Sequence, residues 1–258
     1  MSFPNYPEKH LAESVLKAED IVAYRKRLGR LPALEPLHGA LFCLERSLPK
    51  RMGWRIPVRK IGSMNADLCE VRRKPNRVVI LTNFGGGAPI VVELAEELAV
   101  MGVKKMILLT WAGFLQPGLK PGDIVVCQRA IRDDGVSQHY LPPGKYIDAD
   151  ASLAAQLADA IRARGADCVT GDTWTTSAPY RETRQEILQY QSEGVQVVEM
   201  ESAGLFTVGK LRNIPTTAVV VTMDSLAGGE WKVPEKLDRI FQSLELVYAA
   251  ALETLAKD

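Results

Sequence analysis

Short apolar runs alternate with helical patterns from Arg77 to the end of the chain, and that alternation limits the fold more than any other feature. Val78-Val79-Ile80-Leu81, Met106 to Leu109, Ile124 to Cys127, Val195 to Val198 and Thr217 to Met223 read as short strands, and Cys168 to Gly171 is short and apolar. Between them, Pro89 to Gly102, Ser152 to Arg164 (stopped by Gly165) and Arg181 to Gln191 (stopped by Gly194) read as helices. The tail repeats Leu237, Ile240, Phe241, Leu244, Val247, Tyr248, Ala251, Leu252 and Leu255, one buried stripe of a helix opened by Pro234. Such alternation predicts an α/β fold whose sheet is covered by helices on both faces. Residues 1–75 are the least legible: Glu19 to Leu28 suits a short helix, and Pro32, Pro36, Pro49 and Pro57 punctuate the rest.

A chain of 258 residues can form one large α/β domain or two small ones. No repeat, low-complexity segment or linker divides it, so a single domain over 1–258 is expected. The formal charge of +1, with 24% charged residues, argues against a nucleic-acid partner, which normally requires a basic face. No apolar run approaches the roughly 18 residues needed to span a bilayer. The N-terminus, with Pro4, Pro7, Glu8 and Lys9, lacks the apolar core of a signal peptide, so a cytoplasmic protein is expected. Cys43, Cys69, Cys127 and Cys168 are widely spaced and read as reduced thiols. His10, His38 and His139 fall at no i,i+4 spacing, so no metal site is expected.

The stretch Val197-Val198-Glu199-Met200-Glu201-Ser202-Ala203-Gly204 carries the chemistry. Two carboxylates stand where a buried strand ends and a helix begins, the position at which α/β proteins bind ligands. Acceptor-only side chains there suit adjacent hydroxyl donors, such as a ribose 2′,3′-diol. The alternative is that one Glu caps the helix and the other makes a surface ion pair. Three further segments follow strands. Thr82-Asn83-Phe84-Gly85-Gly86-Gly87-Ala88-Pro89 is either an anion-binding lead-in to a helix or simply a tight turn. Thr173 to Thr183, with Trp174, Tyr180 and Arg181, suits a flat heterocycle, or is a loop stiffened by Pro179 with Tyr180 packed inward. Asp224, just past Val219 to Met223, is a general acid or a helix cap. Thr110 to Pro117 reads as a fourth loop.

Taken together, these segments resemble the nucleoside phosphorylase superfamily, which includes uridine phosphorylases, hexameric purine nucleoside phosphorylases and methylthioadenosine nucleosidases. The resemblance runs from about Arg77 to Asp224, with a weaker echo at Lys9-His10-Leu11. Its most specific piece is Val198-Glu199-Met200-Glu201-Ser202-Ala203. Arg132-Asp133-Asp134-Gly135-Val136-Ser137 with Tyr140, and Thr175 to Thr183, are similar to the uridine phosphorylase branch. The resemblance implies a three-layer α/β/α fold around a central twisted mixed sheet. It implies that Glu201 holds the ribose hydroxyls, with Met200 against the sugar and Glu199 as a lesser contributor. It implies that Asp224 serves the leaving base, that Thr176, Tyr180 and Arg181 face the base, and that His10 reaches a neighbouring subunit's ribose. Gly86, Gly87, Thr110 and Trp111 fall on the phosphate side. No cofactor is implied beyond phosphate as co-substrate. The partners implied are a nucleoside and further copies of the chain, as dimers within a trimer or hexamer.

The departures from the family pattern bear on the nucleophile. The Gly-Asp-Pro-x-Arg loop is absent, Leu108 stands where phosphorylases carry an Arg, and Thr110-Trp111 replaces a Gly-Thr. Losing one desolvated cation costs about 2–4 kcal/mol of anion binding. Arg55, Arg59, Lys60 or Arg72 are the candidates to compensate. Trp111 is either a site residue or volume beside the helix at 88–102, and Ser177, where relatives often carry Asp, leaves the base open. The expected activity is N-glycosidic cleavage, with phosphorolysis first, hydrolysis by water as the alternative, and non-catalytic nucleoside binding as a third reading.

Overall fold

A computed structural model describes residues 4–6, 8–31, 34, 36–72 and 76–258; Pro7 and Pro32 lie outside them. Among the described residues, ten strands form one mixed sheet: β1 (Gly39–Cys43), β2 (Val58–Ser63), β3 (Asp67–Val71), β4 (Val78–Thr82), β5 (Lys105–Phe114), β6 (Ile124–Asp133), β7 (Tyr146–Asp148), β8 (Val169–Thr176), β9 (Val197–Glu199) and β10 (Thr216–Ser225). The helices are α1 (Ala18–Arg27), α2 (Leu48–Arg51), α3 (Ala88–Val100), α4 (Ser137–Tyr140), α5 (Ala151–Arg162), α6 (Arg184–Ser192), α7 (Ser202–Arg212) and α8 (Asp238–Ala256).

Alternation along the strands sorts side chains into two cores. In β1, Ala40 and Phe42 join Val91, Leu94, Ala203 and Leu205 of α3 and α7. Leu41 and Cys43 join Leu157, Leu244 and Tyr248 of α5 and α8. That period of two, with a helical layer on each face, gives the three-layer α/β/α arrangement that the sequence leads one to expect. β4, β1, β5 and β10 run parallel in adjacent positions, so their carboxyl ends share one edge. The sheet also closes on itself: β5 pairs β10, β10 pairs β6, β6 pairs β8, β8 pairs β9, and β9 returns to β5.

Several expected boundaries move. β5 continues from Met106–Leu109 to Phe114, so Thr110 to Phe114 is strand and not loop. β6 and β8 likewise run past their apolar segments, to Asp133 and Thr176, because ladder partners on both sides hold polar residues extended. α8 starts at Asp238, four residues after Pro234. Leu211 is 41% exposed at the last turn of α7. Among the described residues no helix is long and apolar enough to cross a membrane. The four cysteines are free thiols.

The helix that carries the carboxylates is held close to its neighbours by glycines. A Cβ on Gly204 would lie 3.0 Å from Ala88 Cβ and Val92 Cγ2, which sets the close approach of α7 to α3. A Cβ on Gly209 would meet Thr216 Cγ2 at 2.6 Å and the Ile214 carbonyl at 2.9 Å. Overpacking of this kind costs about 1–3 kcal/mol, against a gain of at most about 1 kcal/mol from helix propensity. Gly209→Ala is therefore expected to lower the melting temperature in a thermal melt.

Candidate functional site

The shared edge of β1, β4, β5 and β10 opens into a cleft of about 820 Å³. Its walls come from Leu44 and Arg46 after β1, Asn83 to Gly86 after β4, and Thr110 to Gly113 of β5. Val198 to Glu201, Pro179, Tyr180, Glu182, Asp224, Leu226 and Trp231 complete them. Gly113 permits the walls to meet, since a Cβ there would sit 2.9 Å from Leu226 Cδ1 and 3.2 Å from Val198 Cγ1.

Glu201 is 2% exposed and forms no ion pair among the described residues. Its Oε1 accepts the Gly87 N–H at 2.6 Å and its Oε2 the Met200 N–H at 3.2 Å. Gly87, with φ of 101°, begins α3, so the carboxylate sits at the positive end of a helix. A Cβ on Gly86 would come within 3.4 Å of Oε1, so this loop approaches the carboxylate as closely as backbone can. Burial and the neighbouring Glu199 push the Glu201 carboxyl upward, while the Gly87 and Met200 amides pull it back. Each oxygen accepts one N–H and retains acceptor capacity in a residue that lines the cleft, an arrangement that suits two vicinal hydroxyl donors.

Glu199 does different work. Its Oε1 accepts the hydroxyls of Thr173 and Thr175 at 3.1 and 2.6 Å, and its Oε2 accepts the N–H groups of Glu201 and Ser202, both at 2.8 Å. Burial raises its pKa and these donors oppose the shift. Four donors converge on one carboxylate, which caps α7 and fixes the strand-to-helix corner. So the capping alternative holds for Glu199, whereas the surface ion pair does not hold for Glu201.

On the other side of β5, Asp224 leaves β10 at a register irregularity between Thr222 and Ser225. Such irregularities re-aim side chains. Its Oδ2 accepts the indole N–H of Trp231 at 2.7 Å. Tyr180 is fully exposed at the cleft wall, so the inward-packed alternative fails. Trp111 is 39% exposed and also lines the cleft, so it does not act as filler beside α3. Thr110 is buried beside it, its hydroxyl 3.3 Å from the Trp111 carbonyl.

Two expected site residues lie elsewhere, and His10, expected at a neighbouring subunit's sugar, lies outside its own chain's cleft. Thr176 is buried in the β8 ladder, and its Oγ1 accepts the Ala178 N–H. Arg181 ends a 3₁₀ turn (Pro179–Arg181) and is exposed, while its neighbours Tyr180 and Glu182 line the cleft. His10, in a 3₁₀ turn at Lys9–Leu11, packs toward α4 and away from the cleft. The compensating cations are also elsewhere: Arg59 and Lys60 pair with Glu70 and Asp67, and Arg55 and Arg72 line a separate cavity.

Sequence reasoning missed Arg46, Glu182 and Trp231. Arg46 is the one cation lining the cleft among the described residues. Its signal was present, since Ala40-Leu41-Phe42-Cys43-Leu44 is an apolar run followed by charged residues, as in the Glu199 segment.

The family model described as the phosphorylase superfamily matches residues 56–256. Uridine phosphorylase of Salmonella typhimurium is 29% identical over 146 residues, covering 51% of this chain and 58% of that protein. A DeoD-type purine nucleoside phosphorylase of Caldanaerobacter subterraneus is 28% identical over 168 residues, covering 64% of this chain and 72% of that protein. The chain thus spans about 60% of the length of the first curated relatives it matches. The crystal structure of uridine phosphorylase from Vibrio fischeri superposes with a TM-score of 0.76 at 21% identity, covering 88% of this chain and 95% of that one, a likeness of fold. With most of its length matched by the family model, and with the same mixed sheet as that neighbour, this chain belongs to the phosphorylase superfamily.

Proposed function

We propose that this protein cleaves the N-glycosidic bond of a nucleoside, transferring the (deoxy)ribosyl group to phosphate and releasing the free base. The observation that carries the reading is the Glu201 carboxylate, buried, anchored by two backbone amides and open to the cleft. Glu201 accepts the sugar 2′- and 3′-hydroxyls, and Met200 lies against the ring. Cleavage passes through an oxocarbenium-like sugar, so fixing the diol and aligning the nucleophile lower the barrier. Arg46, the Gly86 backbone and Thr110 form the phosphate side, across β5 from Asp224 at the base side. The relatives named as uridine and purine nucleoside phosphorylases support this chemistry. One chain of 258 residues forms one such domain, and self-association as dimers within a trimer or hexamer brings His10 of one protomer to another's sugar.

Hydrolysis is the second reading, favoured by a specific observation: among the described residues a single arginine and four carboxylates, Glu182, Glu199, Glu201 and Asp224, line the cleft. A multiply charged anion needs charge-assisted donors. Following base release from purine and pyrimidine nucleosides with and without phosphate decides between them. Phosphorolysis requires release that depends on phosphate and yields a sugar 1-phosphate; phosphate-independent release with free ribose establishes hydrolysis. No turnover under either condition removes the enzymatic reading. If phosphate is the nucleophile, Arg46→Ala is expected to raise its KM by about 10- to 100-fold, with the nucleoside KM little changed in initial-rate kinetics.

A further inference from the structure

Arg55 and Arg72, cations that the sequence offers to an anion and that the cleft does not take up, line a second cavity. It measures about 740 Å³, lies beside α8 and shares no lining residue with the cleft. It forms because α8 presents two faces. Leu244, Val247, Tyr248 and Ala251 are buried in the core, whereas Gln242, Glu245, Leu246 and Ala249 recur at helical spacing along an adjoining face that lines the cavity. Leu246, Ala249 and Ile56 are only half-buried, so apolar surface is left uncovered there.

The charges around this cavity do not balance. Glu245 is engaged by Arg51 through two nitrogens, at 2.9 and 2.7 Å, and Glu253 by Arg164 at 2.5 Å. Glu70 of β3 already takes Arg59 and Arg77. Among the described residues, Arg55 and Arg72 are left with no carboxylate and no side-chain hydrogen bond. The Arg55 guanidinium instead lies over the exposed ring of Trp54, 4.4 Å from its centroid. The backbone beneath both cations is fixed, with the Arg55 N–H donating to the Met52 carbonyl and the Arg72 N–H to the Pro57 carbonyl, each at 2.9 Å. Pro57 follows Arg55 by two residues, so the two arginines stem from adjoining segments.

We propose that this cavity is a second ligand site, for a soluble phosphate monoester whose organic part is apolar. A mostly apolar lining with a few convergent charged groups is the make-up of a small-molecule site, and the volume suits one. The guanidinium fork matches phosphate oxygens. A phosphate monoester carries nearly two negative charges at neutral pH, enough to balance both arginines. Its organic part covers Ile56, Leu246 and Ala249. Inorganic phosphate would leave that surface bare, and an uncharged apolar molecule would leave the arginines with water alone.

Isothermal titration calorimetry of the full chain with 1-naphthyl phosphate tests the site, with 1-naphthol and inorganic phosphate as the two halves of the probe. The ester is expected to bind at least about tenfold tighter than either half. Arg55→Ala and Arg72→Ala are each expected to weaken it by about tenfold, and raising the ionic strength weakens it in wild type. Gln242→Glu places a negative charge at an exposed lining position and is expected to weaken the ester several-fold, with an unchanged thermal melt. In Arg46→Ala, altered in the cleft, the binding that depends on Arg55 and Arg72 is expected to persist. Binding lost in Arg46→Ala but kept in Arg55→Ala and Arg72→Ala puts the ester in the cleft and overturns the second site. Equal affinity for the ester and inorganic phosphate, or no binding of the ester, also overturns it. Co-sedimentation with phosphatidate vesicles that Arg55→Ala and Arg72→Ala abolish overturns the soluble ligand in favour of a lipid.

Discussion

Glu201→Gln is expected to lower kcat/KM on a ribonucleoside by at least about 100-fold, because hydrogen bonds to a charged acceptor are worth about 1.5–3 kcal/mol each and the diol makes two. The amide keeps one acceptor and turns the other corner into a donor, which opposes a hydroxyl that must itself donate. Stability responds in the other direction. The folded-state pKa of Glu201 lies above its ordinary value, chiefly through burial. A carboxyl raised in this way binds its proton more tightly folded than unfolded. Its presence is therefore harmless below the unfolded pKa and increasingly costly as pH rises toward the folded one. Gln carries no charge and escapes that cost. Thermal melts are expected to show the variant at or above wild type at pH 8, with the gap closing toward pH 5. A variant that is inactive but stable separates a ligand-binding role from a structural one. An unimpaired variant removes Glu201 from the sugar site.

Glu199 is expected to behave in the opposite way. Glu199→Ala strands two threonine hydroxyls and two backbone N–H groups inside the protein. Losing the charged acceptor of such a buried network costs about 3–5 kcal/mol, a drop of roughly 10 °C in melting temperature for a chain of this size. Glu199→Gln is expected to fold, since its carbonyl can face the two amides while its NH₂ faces hydroxyls that rotate to accept. Urea titration of the pair checks this: loss of stability in Ala but not in Gln is the expected result, and two equally stable variants would show that the carboxylate does not hold the corner. The two acids stand two residues apart and separate cleanly, one fixing the backbone and the other facing the cleft.

That separation was only partly legible beforehand. The Val-Val-Glu-Met-Glu-Ser segment announces a strand end with two acids, but which acid turns inward depends on hydroxyls of β8 that meet Glu199 only through a parallel pairing far apart in sequence. The strands from Val78 onward, apart from the three-residue β7, could be read because they are short apolar runs between glycines and helices. β2 and β3 could not, because as an antiparallel pair toward one edge they interrupt their apolar residues with charged ones such as Arg59, Lys60 and Glu70, of which Arg59 and Lys60 are exposed. Arg46 went unread because the short strand before it sits among prolines. Thr176 and Arg181 were placed in the site by segment when the geometry selects by residue: β8 runs to Thr176 and buries it, and the 3₁₀ turn presents Tyr180 and Glu182 while leaving Arg181 in solvent. Local pattern located the segments that line the cleft, and long-range pairing decided which of their side chains face it.

A crystal structure with a bound, uncleavable nucleoside analogue tests the central claim most directly. Both sugar hydroxyls are expected within hydrogen-bond distance of the Glu201 carboxylate, with the heterocycle against Asp224 and Tyr180. A sugar lodged elsewhere, with Glu201 engaged only by the Gly87 and Met200 amides, would contradict it.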